Sequence, residues 1–555
     1  ILCILIYLPP IQNFLVDKAA VYASEATGMN ISVGRISLSF PLNLVVTDVD
    51  AASPHKDTLL SVRRLQVNVQ LLPLLKKQVE VDGISLQGAT VNSNDLIHGM
   101  RLNGTLGELF ISSHGVALDP ETAIVNKVLL KDTDLSLCLN DTAAADTAAS
   151  DTTYWKIILQ DIDLQNVSFA LDMPLDSLSL AASLDNATLR DGLIDLHKSA
   201  YSLQTFRIKN GRVRYDSGRP SATASADSLS AGLDPSHIAL TDIGVKLDSL
   251  YYEGRNMKAI ISQFVLKERS GVEIVSTEGR LVSNDKVLRV PSLKLETRDS
   301  YLELNAAMDW DALDFKKEGL VSARLMADIG KPDVVRFMGS MDEKFIRKYP
   351  SEPLRIRTGI DGDLNKLKLT TLTAELPGAL ELFAKGELTS LTDSLLRGGD
   401  ITLQAETKDL KFISTLAEGI EIPYGTRLEG KFTMAGPKMG TDLLLMQPEA
   451  HAVAVADTIP ITVYNDSISV ADDFKMERAA RLFAKYDLSR DRYEADLAVN
   501  HFDLHQFMPA DSLYTLSTRL KVEGEGFDFF SPRTYFNAKG GIDLSLIHIS
   551  EPTRL

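Results

Sequence analysis

The sequence predicts a mainly β protein, built as a long stack of strands that is apolar on one side only. Three observations carry that prediction. First, Leu65, Val67, Val69 and Leu71 alternate with Gln66, Asn68 and Gln70, and a strand sends alternate residues to opposite faces. Second, such one-sided runs recur almost to the C-terminus, separated by turn residues. Third, glycines such as Gly279, Gly362, Gly386, Gly430, Gly524, Gly526 and Gly541 sit inside or beside these runs. Glycine in a strand permits a kink or a close backbone approach, which suits a sheet that curls progressively.

Composition narrows the function classes. The 555 residues carry a net charge of -17 and are 45% hydrophobic. An acidic chain without a Lys/Arg stripe disfavours nucleic acid as a partner, because phosphate binding needs basic patches. Only Cys3 and Cys138 are present, so there is no disulfide framework. Length alone suggests three or four domains, but the regular strand spacing argues for an elongated repeat body or a few stacked modules.

Taken in order, Ile1, Leu2, Ile4, Leu5, Ile6 and Leu8 belong to an uninterrupted apolar opening. Residues 1–10 read as the last turns of a transmembrane anchor. A signal-peptide core or a buried helix would give the same residues. Pro9-Pro10 breaks that helix, and Ile11, Leu15, Ala19, Tyr22 and Ala26 recur at helical spacing. Residues 11–29 therefore read as an amphipathic helix at a membrane surface. A first β module follows over 30–139. Within it Ile31 and Val33 share one parity and Ile36, Leu38 and Phe40 the other, so Gly34 marks a bulge that flips the face. Ile84 and Leu86 alternate like Leu65 to Leu71. Residues 93–130 read as less regular, with Gly99, Gly104, Gly107 and Gly115 as turn points.

Residues 140–153 lack any large apolar side chain and read as a solvated loop. Strands resume over 154–330 with Ile157/Leu159, Ile162/Leu164, Val167/Phe169/Leu171, Phe206/Ile208, Val213/Tyr215, Val245/Leu247, Leu293/Leu295 and Leu302/Leu304. Asn210-Gly211 reads as a hairpin turn. Residues 331–350 fit a short helix pair that interrupts the sheet, either capping an open end or filling space. The strand pattern returns over 351–544, including Leu367 and Leu369. Residues 545–555 (SLIHISEPTRL) break the idiom and resemble a translated sequencing-adapter tail, so the natural chain is expected to be truncated near Leu544.

No catalytic constellation emerges. His501, Asp503 and His505 bring ligand types together, but no further ligand lies nearby and the helical zinc-protease signature lacks its Glu. A polar surface corner is the plainer reading. Gly436 to Gly440 lacks phosphate-loop spacing, and Gly524/Gly526 lack the helix of a dinucleotide fingerprint. Asp161 and Asp163 could be imagined as paired glycosidase carboxylates, although solvated strand-face residues are the plainer reading. The expectation is a non-enzyme with no cofactor and no metal.

The order of features is more specific than any one motif. An apolar helix and an amphipathic helix lead to Ile31-Ser-Val33-Gly34-Arg-Ile36-Ser-Leu38-Ser-Phe40-Pro41. The run Leu65-Gln-Val67-Asn-Val69 follows, with Pro73-Leu74-Leu75 after it and then Val79-x-Val81-x-Gly-Ile84-x-Leu86-x-Gly-Ala89-x-Val91. This order resembles the N-terminal part of the AsmA-like family, and most of all its TamB branch, the inner-membrane subunits of the translocation and assembly module, in Bacteroides-type bacteria. The resemblance implies an inner-membrane anchor and a periplasmic body in a Gram-negative bacterium, with curled strands forming an open hydrophobic groove. It further implies phospholipid as the guest, and an outer-membrane barrel assembly protein as a partner through a C-terminal region this chain lacks. Strands recurring every ~10–12 residues and stacked ~4.8 Å apart would reach roughly 200 Å, the scale of a periplasm.

On that footing the expected lining is Leu65, Val67, Val69, Ile84, Leu86, Leu159, Phe169, Val213, Val245, Leu247, Leu293, Leu295, Leu302, Leu304, Leu367 and Leu369. Three functions compete. The first is a lipid-transfer bridge between the inner and outer membranes. The second is an outer-membrane protein assembly factor that templates client strands on its edges. The third is a closed β-helix enzyme or adhesin acting on polysaccharide, for which the strict Asn or Gly ladders are missing.

Overall fold

The computed structural model describes residues 24, 29–40, 43–53, 58–70, 81–93, 99–117, 121–140, 154–218, 232–314, 316–317, 319–338, 342–391, 393–416, 419–448, 478–509, 513–527 and 534–544. The expected anchor at 1–10, the amphipathic helix at 11–29 except residues 24 and 29, nearly all of the loop at 140–153 and the tail at 545–555 lie outside them. Among the described residues no helix is long and apolar enough to cross a membrane. The described residues are mainly β, forming 26 strands. The chain divides into two compact units, residues 1–285 with 292–298, and residues 286–291 with 299–555.

The first unit is a meander. Its strands are β1 (Asn30–Ser39), β2 (Asn43–Ala52), β3 (Thr58–Val69), β4 (Val81–Asn92), β5 (Met100–Ala117), β6 (Thr122–Leu139), β7 (Lys156–Met173), β8 (Leu178–Asp195), β9 (Ala200–Leu203), β10 (Thr205–Ser217), β11 (His237–Glu253), β12 (Asn256–Glu268) and β13 (Glu273–Ser283). Successive strands pair antiparallel, with one exception: β6 and β7 run parallel, Thr122 facing Lys156 and Leu137 facing Leu171. Strands β9 and β10 together fill one position between β8 and β11. The described residues 99–117 and 121–130 are more regular than their glycines suggested. Gly104 and Gly107 lie inside the 18-residue strand β5 and turn nothing.

What the strands share is a crease. The ladder skips Gly34 opposite Asp48, then Arg63, Gly88, Gly107, Asp132, Asn166, Asp185 and Asn210, each facing the next across neighbouring strands. Asp48 (φ 55°), Gly88 (63°), Asp132 (48°), Asn166 (51°) and Asn210 (56°) are left-handed, a conformation that Asn, Asp and Gly tolerate best. Gly34 and Gly107 face left-handed aspartates at close range. A Cβ on either would come within 2.9 Å of the Asp48 Cβ or 2.8 Å of the Asp132 Cβ. Outside the sheet, Asn166 Nδ2 donates to Asp132 Oδ1 at 2.9 Å and Asn210 Nδ2 to Asp185 Oδ2 at 2.7 Å.

Each crease residue shifts the alternation by one, so the apolar parity flips there. In β7 the inward set is Ile157, Leu159, then Ile162, Leu164, then Val167, Phe169, Leu171. The step from Leu164 to Val167 is the crease. The step from Leu159 to Ile162 belongs to a second, shorter line through Asn126, Gln160 and left-handed Asp191 (φ 51°). The flip expected at Gly34 is therefore real and recurs across nine strands. Asn210-Gly211, expected as a hairpin turn, lies instead in the middle of β10, with Gly211 facing Ile243. Its tolerance of positive φ serves the crease rather than a turn.

After β14 (Val287–Thr297), the second unit continues as an antiparallel meander. It comprises β15 (Tyr301–Asp309), β16 (Val321–Ile329), β17 (Leu354–Gly362), β18 (Lys366–Leu376), β19 (Leu380–Thr389), β20 (Gly398–Thr407), β21 (Arg427–Ala435), β22 (Lys438–Met446), β23 (Ala479–Asp487), β24 (Arg492–Asp503), β25 (Thr515–Glu525) and β26 (Tyr535–Leu544). The expected helix pair is present between β16 and β17 as α1 (Lys331–Met338) and α2 (Glu343–Lys348). Asp342 caps α2 by accepting the Lys344 N–H. Helix α2 contributes Phe345 to a compact aromatic core with Tyr349, Leu376, Ala379, Leu410 and Phe412. Phe345 meets the Phe412 ring edge-on at 5.5 Å, an arrangement that adds to area burial. This core sits where β17 begins, β18 turns into β19 and β20 ends.

Candidate functional site

Cross-strand register turns the one-sided strands into continuous apolar rows, since residues directly opposite on paired strands share a face. In the first unit one row runs Ile36, Val46, Leu65, Leu86, Leu109, Leu130, Leu164, Ala187, Ile208, Val245. Beside it runs Leu38, Leu44, Val67, Ile84, Ile111, Val128, Ile162, Leu189, Phe206, Leu247. Across the crease lie Val33, Val49, Val62, Ala89, Leu106, Thr133, Val167, Leu184, Gly211, Ile243, and then Ile31, Ala51, Leu60, Val91, Gly104, Leu135, Phe169, Ala182, Val213, Leu240. Thr133 is the only hydroxyl in the four rows. The opposite face carries the polar complement, as in Arg35, Thr47, Arg64, Gln87, Glu108, Lys131, Gln165, Asn186 and Lys209.

These rows are not sealed. In the Ile36 to Val245 row only Ala187 is buried and every other member is half-buried. A packed second layer would bury them. Exposure varies from strand to strand: Val62 is 6% and Thr133 2% exposed beside the crease, whereas in the row beyond them Ala51 is 6% exposed and Leu60 and Phe169 reach 37% and 38%. A shallow recess of about 390 Å³ includes Phe169, Ala182, Val213 and Leu240, together with Asp134, Arg212 and Arg214 of the alternate positions.

The second unit repeats the arrangement. Leu302, Ala327, Ile356, Ala374, Leu382, Ala405, Leu428 and Leu445 form one row; Leu304, Leu325, Thr358, Leu372, Ala384, Leu403, Gly430 and Leu443 form the next. A recess of about 420 Å³ includes Ala374, Leu382, Ala405 and Leu428 of the first of these rows, together with charged neighbours such as Glu381, Glu406 and Arg427. On its polar face Asp361 accepts a hydrogen bond from the Ser322 hydroxyl at 2.7 Å and faces Arg324 at 3.2 Å. Both hold its carboxyl below the usual range, the Ser322 bond most.

The expected lining residues distribute over these rows. Leu65, Val67, Ile84, Leu86, Phe169, Val213, Val245 and Leu247 fall in the four rows of the first unit. Leu159 faces Val125 and Gly192 beyond the second crease, and Val69 faces Val81. Leu293 and Leu295 are half-buried on β14, with a Leu293 methyl against Gly279. Leu302 and Leu304 head the rows of the second unit, Leu369 faces Ile360 and Gly386, and Leu367 faces Gly362 and Leu388. Row members such as Leu109 and Leu130 were not singled out from sequence. Their alternation is visible there, but their register is not.

The polar candidates are held in other contacts. Asp161 and Asp163 both pair with Arg190, Asp163 at 3.1 Å. His501 Nδ1 lies 2.8 Å from Asn500 Oδ1, His505 stacks on Tyr514 at 4.7 Å, and Asp503 accepts the His505 backbone N–H at 3.1 Å. No known protein-family model matches the chain, and no curated protein matches it either.

Proposed function

We propose that this protein binds the acyl chains of phospholipid along its apolar rows and conducts them as a non-enzymatic lipid-transfer bridge. One observation carries the reading: the rows cross ten strand positions of the first unit without a charged residue, yet stay half-open to solvent. Such a surface is costly in water and rewards an apolar guest, at about 0.8 kcal/mol per buried methylene. The curled strands then form an open hydrophobic groove. The resemblance of residues 1–91 to AsmA-like and TamB proteins supports an inner-membrane anchor and a periplasmic body delivering towards the outer membrane.

Photo-crosslinking residues placed at Val67, Leu247 and Leu369 test this. Phospholipid adducts at these positions, absent from neighbouring outward positions, are expected, and mass spectrometry of small molecules co-purifying with the protein should return phospholipid. Adducts to polypeptide alone would favour the strand-templating assembly factor instead. Labelling with neither partner at all three sites would end the lipid reading.

A further inference from the structure

We propose that the crease, rather than the side chains lining the apolar face, sets the cross-section of the guest that the first unit accepts. In its guest-selecting part this rests on the lipid reading above. Four non-glycine residues, Asp48, Asp132, Asn166 and Asn210, hold φ between 48° and 56° on one line, and that alignment over nine strands is not required for pairing. A residue added at the same line in every strand lengthens the polar side relative to the apolar side, so each strand bends toward its apolar face. Exposed carboxamide–carboxylate bonds, Asn166 to Asp132 and Asn210 to Asp185, tie adjacent strands together along the outer ridge. Lining side chains tune contact, whereas the bend angle fixes how far apart the two walls stand.

The test uses the full chain in a Cys3→Ser/Cys138→Ser background, spin-labelled at Ser179→Cys, near the start of β8, and Leu196→Cys, one residue past its end, so that the labels flank both creases of that strand. A flat strand would hold these positions roughly 56 Å apart at ~3.3 Å per residue; the creased chain is expected to hold them closer. The triple variant Asp132→Val/Asn166→Val/Asn210→Val places β-branched residues where φ is positive, and should lengthen the distance by on the order of 5 Å. The corresponding triple glycine variant should keep the original distance, and it serves if the valine variant fails to fold.

In parallel, photoactivatable lysophosphatidylcholine (one chain) and diphosphatidylglycerol (four chains) are offered to each protein. Flattening should change their capture ratio at least about threefold. A flat distance in the unmodified chain, or an unmoved distance in the valine variant, overturns the crease. A glycine variant that flattens shows the side-chain ladder holds the bend and overturns the backbone assignment. A moved distance with an unchanged ratio overturns guest selection. Capture of neither probe by the unmodified chain defeats the lipid reading and guest selection with it, while the distances still judge the bend.

Discussion

Replacing Leu86 by Asp puts a carboxylate in the middle of an apolar row, between Leu65 and Leu109. Leu86 is half-buried, so folding loses roughly half of a leucine's full burial, on the order of 1 kcal/mol. The new carboxylate stays hydrated because the face is open, and adds little to that cost. A bound acyl chain fares worse. Losing contact with two methylenes costs about 1.6 kcal/mol, which is roughly 15-fold in affinity, before the cost of stripping water from the charge. Gln87→Asp, one residue along, faces the polar side and should leave both quantities within about 0.5 kcal/mol. The crease makes a sharper forecast. Ala89→Asp should behave like Leu86→Asp, and Thr90→Asp like Gln87→Asp, because the parity flips at Gly88. Uninterrupted alternation would group Thr90 with Leu86 instead. Lipid capture by the four variants, read beside their urea midpoints, decides. A silent Ala89→Asp together with a Thr90→Asp as damaging as Leu86→Asp would refute the inward assignment.

Three further outcomes are expected. Phe345→Ala should remove about 3–5 kcal/mol from the aromatic core, because Phe345 is 2% exposed. Hydrogen exchange should then accelerate through α1, α2 and the β18–β19 turn and leave the first unit unchanged. Arg481→Lys breaks the two-pronged pairing of Arg481 with Asp442, at 2.8 and 2.5 Å, and should lower the denaturation midpoint by the equivalent of ~1–2 kcal/mol. The third concerns Asp361, whose carboxyl is held low first by Ser322 and then by Arg324. Its contribution is fully present above the unfolded carboxylate value near ~3.9 and is lost as pH falls through the lower folded value. The midpoint gap between the unmodified chain and Asp361→Asn should therefore be widest at neutral pH and close on acidification.

Much of this architecture is legible in the chain, because strand alternation is a local property. The parity sets of β7 already contain both creases as three-residue steps, at Leu159 to Ile162 and at Leu164 to Val167. Gly34 is the more recognisable flip, since a glycine announces backbone freedom more plainly than Asp48 or Asn166. Asn210-Gly211 misleads for the same physical reason: left-handed tolerance suits a hairpin and a mid-strand bend alike, and only the partner strands decide. Gly104 and Gly107 mislead likewise, because crowding against β6 rather than turning explains them. The parallel pairing of β6 with β7 leaves no local trace, since it is fixed by which edge a later strand reaches. The candidate site follows suit: its residue types are readable one strand at a time, whereas its continuity is a matter of register.

The meander has a consequence for how such a chain comes to exist. Nearly every strand finds its neighbour in the segment just before it, so order can propagate along the polypeptide as it emerges, one rung at a time, with little entropy spent on closing long loops. Damage should stay correspondingly local, melting adjacent rungs and sparing distant ones, as in other quasi-one-dimensional repeats. The step from β6 to β7 differs in direction: its parallel pairing sets Lys156 opposite Thr122 at the start of β6, so the chain must return along the length of β6 before that rung can form.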